Sequence, residues 1–198
     1  MFLKKGQLLI LLVNVIYLFL AFILFFGRQN YEFLMYVGVI IFLLILIMLT
    51  SKKVNYPNFV LWGLTIWGIL HMLGGGVIFK DGSVLYGLIL VPLSNAYSIF
   101  RYDQFVHILG FGIATLLIYV LLKPLLKSNL KSWSALSIVV IMAGFGVGAL
   151  NEMLEFIVTV FVPETGVGGY INTSLDLVSD LIGAILAMIY IRIKKGNI

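Results

Sequence analysis

The chain is 198 residues long, 62% apolar and only 11% charged, with a mean hydropathy of +1.15. Soluble domains carry about 25% charged residues, so this composition excludes a water-soluble globule and predicts an integral membrane protein. With no cysteine, disulfides, Cys-ligated zinc, iron–sulfur clusters and thiol catalysis are excluded; the net charge of +5 is scattered between apolar segments, which argues against nucleic acid as a partner.

A spanning helix needs about 20 predominantly apolar residues, and six segments qualify: 7–26, 33–50, 58–78, 103–122, 134–161 and 174–193. They predict an all-α, polytopic membrane protein with a single integral domain over 1–198. The first follows a basic start, MFLKKGQ, but its apolar run is too long for a signal peptide and no small-residue cleavage pattern follows, so it reads as a retained helix. In the third, His71 shares a face with Gly68 and Gly75, and Gly74-Gly75-Gly76 then lets the helix end or bend.

Val84 to Leu93 is apolar but only ten residues long, and polar Ser94 and Asn95 follow it. Six spans with both termini cytoplasmic put Lys4, Lys5, Lys52, Lys53, Lys123, Lys127, Lys131, Arg192, Lys194 and Lys195 inside, against Arg28, Lys80 and Arg101 outside, ten to three. A seventh span would give five to eight, against the orientation bias of insertion. The stretch near 84–100 is therefore expected to be an outer interfacial or re-entrant segment.

The last three helices carry the ionisable residues on stripes of helical spacing. Asp103, His107, Gly110 and Ala114 form one face of the fourth; Gly144, Gly148, Glu152 and Glu155 one face of the fifth; Asp176, Asp180, Gly183 and Ala187 one face of the sixth. An Asp at the bilayer centre costs about 2.5–3.5 kcal/mol on insertion scales, so these acids should not face lipid. Small residues mark where helix backbones approach, so the acids continue the packing stripes and are expected to point inward. Gly144-x-x-x-Gly148 reads as an intramolecular packing motif. Trp62, Trp67 and Trp133 read as packing or interfacial anchors. Asn172-Thr173-Ser174 matches a glycosylation sequon.

In this topology His71, Asp103, His107, Glu152, Glu155, Asp176 and Asp180 converge in the outer part of the membrane. Such carboxylates need a compensating charge. A divalent metal is one answer: carboxylate with imidazole suits zinc or manganese, carboxylate with water magnesium. Asp103, His107, Glu155 and Asp180 are the expected ligands, with Glu152, Asp176 and His71 as base or supporting partners. The expected chemistry is hydrolysis or transfer on a lipid or envelope-linked substrate. Two other answers stay open. Shared protons would make a proton- or cation-coupled transporter, and hydrogen bonds to His, Tyr102, Asn151 and Ser179 would make the cluster interhelical glue.

At RYDQFVH, NEMLEF and LDLVSDLIGA the sequence resembles the YjdF-like family of bacterial and archaeal inner-membrane proteins, over about Ile69 to Ala187. The matching positions are Tyr102, Asp103 and His107, then Glu152 and Glu155, then Asp176 and Asp180, with His71 and Val91-Pro92 upstream. Asn151 and Phe156 stand where aromatic residues commonly flank the E-x-x-E, and Leu177 and Val178 where polar residues commonly fill the D-x-x-x-D. More distantly, the D-x-x-x-H and D-x-x-x-D-x-x-G patterns are similar to VanZ-like membrane proteins, which points toward the cell envelope. The resemblance implies a multi-pass protein of a cell membrane, inner or plasma.

Overall fold

A computed structural model describes residues 6–94, 97, 99–126, 132–162 and 165–198. Lys4, Lys5, Asn95, Lys127, Lys131 and Glu164 lie outside the described residues. Six helices are long and apolar enough to cross a membrane: α1 (Gln7–Gly27), α2 (Tyr31–Val54), α3 (Asn58–Gly76), α4 (Tyr102–Leu122), α5 (Trp133–Phe161) and α6 (Tyr170–Ile193). The protein is an all-helical, multi-pass membrane protein.

The helix ends follow local chemistry. Asn30 caps α2 by accepting from the Phe33 amide at 3.0 Å, and Glu32 in the first turn with Lys52 and Lys53 in the last complements the helix dipole. That charge pattern carries α2 past the expected end at residue 50, and Asn55, in the left-handed region at φ 60°, stops it before Pro57. α6 begins at Tyr170 because Asn172, Thr173 and Ser174, polar as they are, form its first turns.

Among the described residues of 77–101 no helix is long enough to span. Isolated antiparallel bridges pair Ile78 with Val84 and Ile89 with Arg101, and a single 3-10 turn covers Leu85–Gly87. At the first reversal Asp81 accepts from the Ser83 hydroxyl at 2.7 Å and the Ser83 amide at 3.0 Å. These bonds, the hydroxyl's first, hold the Asp81 carboxyl below the usual carboxylate range.

The chain divides into two compact units. The first contains residues 1–103 and 155–167. Its core joins Leu18, Ala21 and Phe25 of α1 to Phe33, Val37 and Ile40 of α2 and Met72 of α3, with Phe25 stacked on Phe33 at 4.6 Å between ring centres. Asn14 donates to the Thr65 hydroxyl at 2.7 Å, tying α1 to α3. The buried residues of α2, Glu32, Phe33, Val37 and Ile40, all lie in its first half. From Ile41 to Val54 none is buried.

The second unit contains residues 104–154 and 168–198, hence most of α4 and α5 and all of α6. Here glycines set the helix distances. A Cβ on Gly183 would run into the Ile108 carbonyl oxygen and lie 2.9 Å from the Gly112 nitrogen, so α4 and α6 meet backbone to backbone. A Cβ on Gly144 would meet the Thr115 hydroxyl, and one on Gly148 the Asp180 carboxylate. The Gly144-x-x-x-Gly148 pair thus packs within the chain. Gly112, which the expected stripe of α4 passed over, is the residue opposite Gly183.

Because backbone cannot step aside, Gly183→Leu should cost at least the 1–3 kcal/mol typical of overpacking, roughly. Thermal unfolding of the detergent-purified protein should show a clear fall in Tm for this variant and none for Gly38→Leu, whose added Cβ meets nothing within 4 Å.

Candidate functional site

The second unit gathers polar side chains from three helices. His107 lies on the α4 face that meets α6, and its Nδ1 is 2.9 Å from Asp180 Oδ1 and 3.9 Å from Glu152 Oε1. Asp180 is fully buried, and His107 and Glu152 are buried with it. Gly148 lies one turn before Glu152 on α5, and its missing side chain leaves the space that the Asp180 carboxylate fills. One imidazole nitrogen therefore faces two carboxylates in a space that water reaches poorly.

One turn back along α6, Asp176 is also fully buried. Gln104 of α4 donates to its Oδ1 at 2.7 Å, and Asn172 of α6 donates to Oδ2. Two amides thus complete this carboxylate, as a buried charge requires. Neither was singled out as a partner from sequence, although Gln104 precedes His107 by three residues and Asn172 precedes Asp176 by four, both helical spacings. The Asn172 amide is engaged inside the helix, which overrides the sequon reading. The Ser179 hydroxyl, expected on a carboxylate, donates instead to the Leu175 carbonyl at 2.9 Å. A ligand-capable atom of His107 comes within 4.8 Å of one on Glu152 and of one on Asp176.

The first unit holds the other histidine. His71 is framed by aromatic rings: Trp67 stacked at 5.5 Å, Tyr36 edge-on at 5.3 Å, Tyr86 edge-on at 5.8 Å and Phe33 at 6.0 Å. Trp67 is therefore a packing residue. The Tyr86 oxygen lies 2.5 Å from His71 Nδ1 and 3.1 Å from the His71 carbonyl. A hydroxyl has one proton, so both contacts are met when Nδ1–H donates to the phenol oxygen and the phenol donates to the carbonyl, leaving the lone pair on Nε2. Gly74 and Gly75 make this possible: a Cβ on the first would strike the Tyr86 ring, on the second the Phe33 ring.

Tyr86 sits in the segment after α3, and burial pushes its phenol well above the ordinary 10.0, with the negative charges of Asp103 and Glu155 acting in the same direction. Asp103 and Glu155 are half-buried and belong, with Tyr86 and His71, to the first unit. Of the sequence-predicted residues, His107, Glu152, Asp176 and Asp180 belong to the second unit and His71, Asp103 and Glu155 to the first. Tyr86 went unnoticed in the sequence because a tyrosine fifteen residues beyond a histidine, across a non-helical segment, carries no periodic signal.

The sequence matches the family described as Predicted membrane protein (DUF2238) over residues 8–197. The chain belongs to this family. The match is consistent with the YjdF-like resemblance and extends past its span of about 69–187 to take in α1 and α2. No curated protein and no solved structure matches the chain. Family membership agrees with a membrane protein and leaves the chemistry to the site itself.

Two predictions follow from the hydrogen bonds. Gln104→Leu should destabilise the protein by about 1–3 kcal/mol, because Asp176 loses a donor while staying buried, and Gln104→Leu with Asp176→Leu should recover most of that loss; equilibrium unfolding of the two variants measures it. The raised phenol of Tyr86 stabilises the fold fully below its unfolded value, near 10.0, and that contribution is lost as pH climbs toward the higher folded value. Above pH 10 the melting temperature of wild type should therefore decline more steeply than that of Tyr86→Phe.

Proposed function

We propose that His107, Glu152 and Asp180 hold a divalent metal ion and that the protein is a metal-dependent hydrolase or transferase acting on a lipid or envelope-linked substrate in a cell membrane. The observation that carries this reading is the convergence of two carboxylates on one imidazole nitrogen. Two donors on a tetrahedral ion, each about 2.0–2.2 Å from it, stand about 3.4 Å apart. The separations of 2.9 and 3.9 Å from His107 Nδ1 bracket that value. The donor set, one nitrogen and several carboxylate oxygens, suits zinc or manganese better than magnesium.

A bound metal would polarise a phosphoryl or acyl oxygen and activate water. The chain's own residues divide the remaining work. Asp176, held by Gln104 and Asn172, would take up the proton. Asp103 and Glu155, expected as ligands from sequence, are carried by the same helices as His107 and Glu152, α4 and α5. The helices that carry the set are apolar and spanning, which favours a substrate at home in the bilayer.

A second reading, interhelical glue, is favoured by the Gln104–Asp176 pair, which joins α4 to α6 with no metal required. Elemental analysis of detergent-purified protein separates the two. Stoichiometric metal in wild type and in Gln104→Ala, lost in His107→Ala, is the expected result. No uptake by wild type after incubation with zinc, manganese and magnesium would overturn the metal reading and leave the proton relay or the glue. With metal present, Asp176→Asn should retain it while turnover of a total lipid extract, followed by mass spectrometry, falls on the order of 10²–10⁴-fold.

A further inference from the structure

A separate feature lies in the first unit, away from any titratable cluster. The residues Tyr17, Leu20, Ala21, Leu24 and Phe25 of α1 recur at steps of three, one, three and one. Ile69, Met72, Leu73, Gly76 and Val77, on α3 and just past its end, repeat the same steps. Two helix faces of equal period therefore run side by side and enclose an apolar furrow of about 350 Å³. That volume is within the range of about 300–1,000 Å³ for small-molecule sites.

The cross-section of the furrow is concave. Its floor is buried, at Ala21, Phe25 and Met72, while the rims Leu20, Leu24, Leu73 and Val77 are exposed. At one end the Tyr17 hydroxyl sits against Gly68, where a Cβ would strike it, so the ring closes that end. At the other end Arg28, just past α1, donates from Nη1 to the Gly76 carbonyl at 2.7 Å. This bond parks an exposed guanidinium at the mouth and uses one of its five donors. From Tyr17 to Arg28 is eleven residues, about 16 Å at the helical rise.

We propose that this furrow binds one acyl chain of an anionic phospholipid, whose headgroup phosphate is met by Arg28. Both helices span the membrane, so lipid is the molecule at hand for an open apolar channel. A cation at its polar end selects the charge of the headgroup. Arginine suits phosphate because its planar fork donates to two oxygens at once. The site is independent of the metal reading and stands or falls without it.

The test is native mass spectrometry of the detergent-purified chain with added phosphatidylglycerol or phosphatidylcholine. Wild type should hold one phosphatidylglycerol in preference to phosphatidylcholine. Arg28→Gln should lower its occupancy about tenfold, the loss of a charge-assisted hydrogen bond, while Arg28→Lys should keep part of it. Leu24→Trp, which narrows the furrow from an exposed rim, should also displace the lipid; Leu12→Trp, exposed on the same helix but outside the furrow, should not. Equal retention of both lipids by wild type, or occupancy indifferent to Arg28→Gln and Leu24→Trp, would overturn the proposal. So would a dimer that Leu24→Trp dissociates, since a second copy would then be the occupant.

Discussion

Inside a bilayer a polar side chain has no water to fall back on, and this one constraint organises the second unit. Asp176 and Asp180 are fully buried on α6, and each finds a partner on a neighbouring helix, Gln104 and His107 of α4. Aspartate is short, so its partner's backbone has to be close. Gly183 against Ile108 and Gly112, and Gly148 against Asp180, provide that closeness. The glycines and the acids are thus one device: without the first, the second would be stranded.

The same logic gives the two histidines different characters. His107 is bracketed by carboxylates and can serve as a ligand or carry a proton. His71 is ringed by Trp67, Tyr36, Phe33 and Tyr86, and its nearest polar partner is a phenol that stays protonated through the physiological range. Aromatic enclosure fixes the orientation of the ring and the hydrogen bond to Tyr86 selects its tautomer.

Much of this was readable from spacing. The six spans, the lack of a seventh among the described residues near 84–100 and the inward aim of Asp176, Asp180 and Glu152 follow from hydropathy, from lysine and arginine placement and from the period of 3.6, because lipid enforces those patterns strictly. The partners were harder. Gln104 and Asn172 are ordinary amides until a carboxylate is known to face them, and Tyr86 reaches His71 only through a chain reversal that no helical period describes. Gly112 was passed over in favour of Gly110 since a difference of two residues turns a helix by about 200° and only the actual crossing decides which side is used.

The bare second half of α2 has its own consequence. From Ile41 onward no residue is fully buried, although Leu44 packs against the core, and the helix owes its shape chiefly to internal hydrogen bonds and to the oily medium around it. Leucine, isoleucine, valine, methionine and phenylalanine are interchangeable there at little cost. Greasiness is what this stretch must preserve, and the individual letters are free to drift.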